Sequence, residues 1–449
     1  MQHFDIIVIG SGGGSKITRP AANLGYNVAI IDNGPLGGTC LNRGCIPSKM
    51  LIHPADILTQ INQANKFNIK VTKPSIDINT LVSEITAEIK SESESIEPLY
   101  EAHKNITLFK DKATFIANKH IRVGDKTITA DKIFIAAGAR PHIPNIPGLK
   151  NTPYWTSTEA LTYKKIPKSL VVVGGGYIAV ELGYYYQSIG TDVTFIVRSN
   201  MIKSEDTEIR ELFETTFSQS HRVKFNTTPT NIDYNNNQFT ITCSDNTTLQ
   251  AEHCLIATGI TPNTDTLNLH NTDIKCNDKG FINVNSQLET SQPNVFAFGD
   301  IIGRYQFRHS ANFEGQHLFD TVVKQNKPKD LTYPPMPHAV FTNPQVASVG
   351  LTEQECITQN IDYIIGKNLY KNSAMGMALR SETDCVKLIF SKQDQRLIGA
   401  HIIGYQASSI IHMLIVGINL NITAQQLQSM IYIHPALPEV IRNAARNVH

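Results

Sequence analysis

An apolar run from Phe4 to Ile9 stops at Gly10, and a second, from Val28 to Ile31, stops at Asp32. With a helix between them, the chain opens as strand, glycine turn, helix and strand, the unit of a doubly wound sheet. Residues 47–104 predict a largely helical stretch, with apolar positions at helical spacing from Leu81 to Ile96. Residues 106–135 predict short strands closing at Gly138, and Pro141, Pro144 and Pro147 mark a linker. The opening unit then returns in chemistry: strand Val171 to Val173, Gly174, a helix to about Ile189 and strand Val193 to Val197. It ends at Ala257-Thr258-Gly259, and residues 290–330 go back to the first pattern around Phe298-Gly299-Asp300. Pro334, Pro335 and Pro337 mark the last boundary, beyond which strands such as Val386 to Phe390 mix with helices such as Ser408 to Ile418. The expected class is α/β, with segments 1–147, 148–262, 263–333 (a return to the first domain) and 334–449.

Composition narrows the possible partners. A chain of 449 residues with 41% hydrophobic and 18% charged residues is globular and too long for one ordinary domain. Forty basic against 39 acidic side chains leave +1, which excludes nucleic acid or an anionic membrane as the main partner. No apolar run approaches the ~20 residues that span a bilayer. The start, Met-Gln-His-Phe-Asp, lacks a basic leader region, so a cytoplasmic protein is expected. Seven scattered cysteines do not form a secreted framework. Cys243, Cys254, Cys276, Cys356 and Cys385 lack metal-ligand spacing and read as ordinary thiols, and no metal site is expected.

Two glycine fingerprints suggest two dinucleotides and hence two Rossmann-like domains. Gly10, Gly12, Gly13 and Gly14 open the first helix, where glycine lets the backbone approach a pyrophosphate at the helix N-terminus. Asp32 stands where an acid binds ribose hydroxyls. Ser15 replaces the third glycine, which predicts slightly looser helix–strand packing. The second fingerprint, Gly174 to Ala179, includes Gly176 and Tyr177. After its second strand Arg198 replaces the acid, and Lys203 follows. Cations there favour the 2′-phosphate of NADPH over NADH, unless Arg198 is a solvated surface charge.

The segment Gly37-Gly38-Thr39-Cys40-Leu41-Asn42-Arg43-Gly44-Cys45-Ile46-Pro47-Ser48-Lys49 carries the chemistry. Two cysteines flanking Gly44 can close a small, reducible disulfide. Pro47 suits a first helical turn, which puts Cys45 at a helix N-terminus, where the dipole stabilises a thiolate. Two structural thiols, or half of a metal site with no partner cysteines, are the alternatives.

This segment resembles the active-site signature of the class I pyridine nucleotide-disulfide oxidoreductases, a family that includes dihydrolipoamide dehydrogenase, glutathione reductase, mercuric reductase and mycothione reductase. The likeness continues through Ala-Thr-Gly at 257–259, Phe-Gly-Asp at 298–300, Phe-Thr-Asn-Pro-Gln-Val-Ala-Ser-Val-Gly at 341–350 and Ile433-His434-Pro435-Ala436-Leu437-Pro438-Glu439. It implies an FAD domain, an NAD(P) domain and a C-terminal α+β dimerisation domain. Cys45 would face the flavin as the charge-transfer thiolate, and Cys40 would attack the substrate disulfide. Lys49 and Glu181 resemble the pair beside the flavin, and Tyr177 the ring that covers it. Asp300 resembles the acid on the ribityl chain. Gly38, Thr39, Ala113, Gly138 and Gly259 resemble further cofactor contacts. His434 and Glu439 resemble an acid–base dyad that reaches the other subunit's disulfide, which implies a homodimer. Tyr432, where most relatives carry a histidine, is similar to mycothione reductases and some dihydrolipoamide dehydrogenase-like proteins.

The substrate expectation is a small thiol or disulfide, or a lipoyl group. Arg446-Asn447-Val448-His449 has no vicinal cysteines, which disfavours mercuric reductase and large thioredoxin reductase, and Cys40 disfavours the transhydrogenase branch. Dihydrolipoamide dehydrogenase ranks first on frequency, and an NADPH-dependent reductase of a low-molecular-weight disulfide second. A non-catalytic flavoprotein subunit of a lipoyl complex is a third, non-enzymatic reading.

Overall fold

The computed structural model describes residues 1–448, and His449 lies outside the described residues. Strand β1 (Gln2–Ile9), helix α1 (Ser11–Asn23) and strand β2 (Val28–Ile31) form the opening unit. β1 and β2 are parallel, with Val8 opposite Ile30. All four residues of β2 are buried, as in a sheet covered on both faces, so periodicity shows no alternation there. β1 also pairs in parallel with Lys126–Ile135, and Ile106–Phe109 pairs in parallel with β2. The late strand Val295–Ala297 joins this same sheet beside residues 133–135, so the chain does return to its first sheet after the second unit.

A second parallel sheet has the order Arg222–Lys224, Asp192–Ile196, Ser169–Val173 and His253–Ile256. Helix Tyr177–Ser188 follows its fingerprint and is buried along nearly its whole length, because it packs against other helices as well as its own sheet. A three-stranded antiparallel sheet starting at Pro229–Asn235 sits beside it, and Ala139–Pro141 pairs with Ile260–Pro262 where the chain crosses into and out of this region. The C-terminal sheet is antiparallel, in the order His338–Val340, Gln345–Gly350, Leu397–Gly404, Cys385–Ser391 and Tyr363–Leu369.

The stretch expected to be largely helical contains α2 (Gly38–Arg43), α3 (Cys45–Asn62), Ile78–Glu94 and Ile96–Glu101, with a break at residues 69–77. Pro74 lies in that break, and Asp77 restarts the helix by accepting the Thr80 N–H at 3.1 Å.

The expectation of looser packing at Ser15 is corrected. The tight contact falls on Gly14, where a Cβ would stand 2.5 Å from Val8 Cγ1. Ser15 instead donates its hydroxyl to Gly12 O at 2.9 Å and leaves α1 pressed on β1. Among the described residues no helix is long and apolar enough to cross a membrane.

Candidate active site

The cysteine pair sits where α2 turns into α3. A Cβ on Gly44 would lie 2.9 Å from Thr39 O, so only glycine lets the chain fold back here and bring Cys40 against Cys45. Both cysteines are free thiols, hydrogen-bonded side chain to side chain. The Cys45 thiol stabilises charge on Cys40 and brings its pKa to about 7; burial opposes this, and Arg308, the Cys45 backbone and Lys49 assist. Cys45 is raised, first by the hydrogen bond to Cys40 and then by partial desolvation, although its side chain is exposed. The two thiols titrate as a pair. The first proton therefore leaves the pair near neutral pH, and the resemblance puts the resting thiolate on Cys45. The backbone at the α3 N-terminus and Lys49 both favour that charge on either sulfur.

One helical turn beyond Cys45, Lys49 Nζ meets Glu181 Oε2 at 2.6 Å. The other Glu181 oxygen accepts the Phe341 N–H at 3.0 Å, and Lys49 lies 4.4 Å from the Phe341 ring centroid. Burial raises the Glu181 pKa, while Lys49 and the Phe341 N–H pull it back towards the ionised form. Residues distant in sequence (49, 181 and 341) thus converge on one carboxylate.

The first fingerprint forms a cradle. Gly38 has φ +72° and approaches Gly12 so closely that a Cβ on it would stand 2.7 Å from Gly12 Cα; Thr39 follows in α2. The N-cap of α1 is Gly10, which has no side chain to cap it, so the N–H groups that follow Ser11 in its first turn are left for an anion. Asp32 accepts the Ser11 N–H at 2.7 Å and the Ser11 hydroxyl at 2.6 Å on Oδ2, and the Gly34 N–H at 3.0 Å on Oδ1. Ser11 also accepts the Gly37 N–H at 2.9 Å, which ties the cradle to the redox loop. Sequence reasoning missed Ser11, because the fingerprint leaves its position unspecified.

Asp300 follows strand Val295–Ala297 with no side-chain hydrogen bond among the described residues, and burial alone raises its pKa to about 6. Ala113 is buried, and Gly138, at φ +67°, faces open space. In the second fingerprint a Cβ on Gly174 would meet Ala257 O at 2.2 Å, while Gly176 and Gly259 face open space. Arg198 and Lys203 are exposed, and neither has an ion-pair partner among the described residues. The Tyr177 hydroxyl meets Ser204 Oγ at 2.9 Å and donates to Glu205 Oε1 at 3.1 Å.

A cleft of about 270 Å³ opens beside the redox loop, lined by Cys40, Arg19, Arg308, Ile46, Leu99 and Tyr100 among others. Cys40 lines it and Cys45 does not; no carboxylate does. The two arginines were not singled out from the sequence, since an arginine on a helix reads as a solvated charge.

His434 Nδ1 lies 3.1 Å from both oxygens of Glu439. Burial works against charge on Glu439, but His434, the Ala436 N–H at 3.2 Å and nearby Arg442 at 2.9 Å outweigh it and lower its pKa. The Glu439 side chain is 4% exposed and that of His434 is 70% exposed. Within the protomer His434 makes no hydrogen bond to either cysteine. Its neighbours Ile431 and Ile433 are fully or largely exposed, and Tyr432 donates its hydroxyl to Leu427 O at 3.0 Å, away from the dyad.

Comparison with known proteins places the whole chain in one family. Residues 4–315 match the family described as pyridine nucleotide-disulphide oxidoreductase, and residues 336–445 match its dimerisation domain. A mercuric reductase of Staphylococcus aureus is 33% identical over 98% of this chain and 82% of its own length. A dihydrolipoyl dehydrogenase of Geobacillus stearothermophilus is 33% identical over 98% of this chain and 95% of its own. The solved structure of the HOCl-induced flavoprotein disulfide reductase RclA from Escherichia coli, as a Cu(II) complex, superposes with a TM-score of 0.88 at 25% identity over 99% of both chains.

Proposed function

The chain belongs to the pyridine nucleotide-disulphide oxidoreductase family, and we propose that it passes electrons from NADPH, through FAD and the Cys40–Cys45 pair, to a low-molecular-weight disulfide that carries negative charge. The observation that supports this substrate is the cleft: Cys40 opens into it, Arg19 and Arg308 line it, and no carboxylate does. Carboxylates or phosphates on a small disulfide would find their counter-charges there. Equal identity to relatives with different substrates gives no such guidance.

FAD, on which this family depends, fits the residues present. The glycine N-cap of α1 and the close Gly12–Gly38 approach suit its pyrophosphate, and Asp32 suits its ribose. Asp300, half-buried and without a side-chain partner among the described residues, suits a polyhydroxyl chain, whose hydroxyls would satisfy the carboxylate. Bound there, FAD supplies the exchange of a hydride for the two electrons that reduce the disulfide. Lys49 and Glu181 would stand beside it, and Arg198 and Lys203 would take the 2′-phosphate of NADPH.

The cysteines and the dyad do the remaining chemistry. Cys40 as thiolate attacks one sulfur of the substrate, forms a mixed disulfide and releases one thiolate, which His434 protonates. Cys45 then attacks Cys40, re-forms the internal disulfide and releases the second thiol. Glu439 fixes the His434 tautomer through Nδ1 and leaves Nε2 to carry the proton. An exposed dyad, remote from the cysteines of its own protomer, supports a homodimer in which His434 of one protomer serves its partner.

Dihydrolipoamide is the second reading, because Ile46, Ile96 and Leu99 in the same cleft suit an alkyl chain. Its reactive end is uncharged and offers nothing to the arginines. A non-catalytic subunit has no use for the complete set of Cys40, Cys45, Lys49, Glu181, His434 and Glu439. The test is initial rates with NADH and NADPH against lipoamide, oxidised glutathione and mycothiol disulfide. Turnover of a charged disulfide with NADPH and inert lipoamide is expected; lipoamide turnover with NADH overturns the reading in favour of a dihydrolipoamide dehydrogenase.

A further inference from the structure

Glu205 has no place in either fingerprint and lies with no side-chain exposure at the end of the loop that carries Arg198 and Lys203. Its two oxygens gather three groups, and a fourth lies one bond behind them. Oε1 accepts the Tyr177 hydroxyl at 3.1 Å and stands 2.8 Å from His338 Nε2. Oε2 accepts the Ser348 hydroxyl at 2.7 Å, and Ser348 Oγ in turn meets His401 Nδ1 at 3.1 Å. Burial works against charge on His338, but the Glu205 bond outweighs it and raises its pKa, so Tyr177 shares its carboxylate acceptor with the His338 imidazole.

The rings above this carboxylate form one layer. Tyr177 lies nearly parallel to Phe307 (6.0 Å, 15°) and to His338 (5.9 Å, 17°), and Phe307 to His338 (5.9 Å, 2°). They come from the second fingerprint, from the residue preceding Arg308, and from the first strand of the C-terminal sheet.

The loop itself is held by both ends of its buried half. Ile202 donates its N–H to Gly175 O at 2.7 Å and sits at φ +38°, a left-handed conformation costly for a β-branched residue. Asp206, next to Glu205, is locked by the buried Lys387 of the C-terminal sheet at 2.7 Å, which also reaches Glu208 at 3.2 Å and Glu353. Lys387 thereby fills the one carboxylate cluster close enough to hold a metal among the described residues. Such anchoring does not suit a freely solvated loop.

We propose that Glu205 is a positioning residue: it holds Tyr177 in the closed place over the nicotinamide position and links that cover to the loop that reads the nucleotide. This rests on the proposed function, in which Arg198 and Lys203 take the 2′-phosphate of NADPH, and on the resemblance by which Tyr177 covers the flavin. For a nicotinamide to enter, Tyr177 must leave the ring layer and give up its bond to Glu205. That bond therefore opposes nucleotide binding, and its removal tightens binding.

The measurement is the dissociation constant of NADP⁺ for the oxidised holoenzyme, by calorimetry. Tyr177→Phe keeps the ring and removes only the hydroxyl, and should tighten binding about tenfold, the usual worth of a hydrogen bond to a charged group. Glu205→Gln should tighten it in the same direction but less, and the two changes together should fall short of additivity, because both remove one bond. A merely structural Glu205 would lower the melting temperature and leave the constant alone. If the wild-type protein binds NADP⁺ and both variants stay within about twofold of it, the inference fails while the proposed function stands. Failure of the wild-type protein to bind either NADP⁺ or NAD⁺ overturns the proposed function and this inference with it.

Discussion

The two halves of the candidate active site differ in how finished they are. The cysteine half is closed within one protomer: Glu181 is buried, and residues 49, 181 and 341 meet on it, with Lys49 at 2.6 Å. The histidine half is fixed at its base and open at its tip, with Glu439 4% exposed and His434 70% exposed. Among the described residues nothing uses the free side of His434. A buried carboxylate that takes an N–H from Ala436, an arginine contact and an imidazole is a costly way to orient a solvated histidine. On the proposed function, the difference means that disulfide exchange is assembled by folding and proton transfer by dimerisation.

The largest effect that breaks this picture is Cys45→Ser. Disulfide turnover should disappear, while reduction of an artificial one-electron acceptor by the nucleotide persists; residual disulfide turnover near wild type would leave the pair without a role. His434→Ala should cost about 10²–10⁴-fold in turnover. The sharper experiment mixes the two variants and lets the subunits exchange. A heterodimer of Cys45→Ser and His434→Ala has one intact composite site, so random reassortment should recover about a quarter of wild-type activity. No recovery, in dimers shown to have exchanged, would mean that each protomer supplies its own acid.

Smaller effects test the cationic surfaces. Arg198→Glu should shift preference from NADPH to NADH by about 10–100-fold in kcat/KM, the loss of one or two charge-assisted contacts. An unchanged ratio returns Arg198 to the solvent. Arg19→Glu should raise KM for a charged disulfide about tenfold and spare lipoamide, since only the former has a group to repel. Equal loss for both substrates would mean a distorted cleft.

Where the sequence was readable, one physical rule governed each residue. The runs ending at Gly10 and Gly174 could only be strands entering tight turns, and both glycines sit where a Cβ would strike a carbonyl, of Ala136 and Ala257. Lys49 could be placed beside Cys45 because both lie on one helix, a turn apart. Reading failed where position depends on sheet order. His338 reaches Glu205, 133 residues away, only because the C-terminal sheet packs on the second fingerprint, and neither residue belongs to a periodic pattern. Ser15 misled for a different reason: the fingerprint names its position, but the close contact with β1 had shifted to Gly14. Arg19 and Arg308 remained ordinary surface charges until the cleft placed both beside Cys40.

The smallest predicted effect concerns which sulfur carries charge. Cys40 is lowered to about 7, chiefly by the Cys45 thiol and further by Arg308 and Lys49. A lowered thiol pKa means that thiolate is present above that pH, where a free thiol near 8.5 is still protonated. In the reduced protein the alkylation rate of Cys40 should therefore rise through pH 7. Arg308→Gln removes one of the assisting cations and leaves the Cys45 hydrogen bond, so it should move the midpoint upward by only a fraction of a pH unit. A midpoint near that of free cysteine in the wild-type protein would mean that the neighbouring thiol does not share its proton. The cysteine half would then depend, like the histidine half, on something the single protomer does not provide.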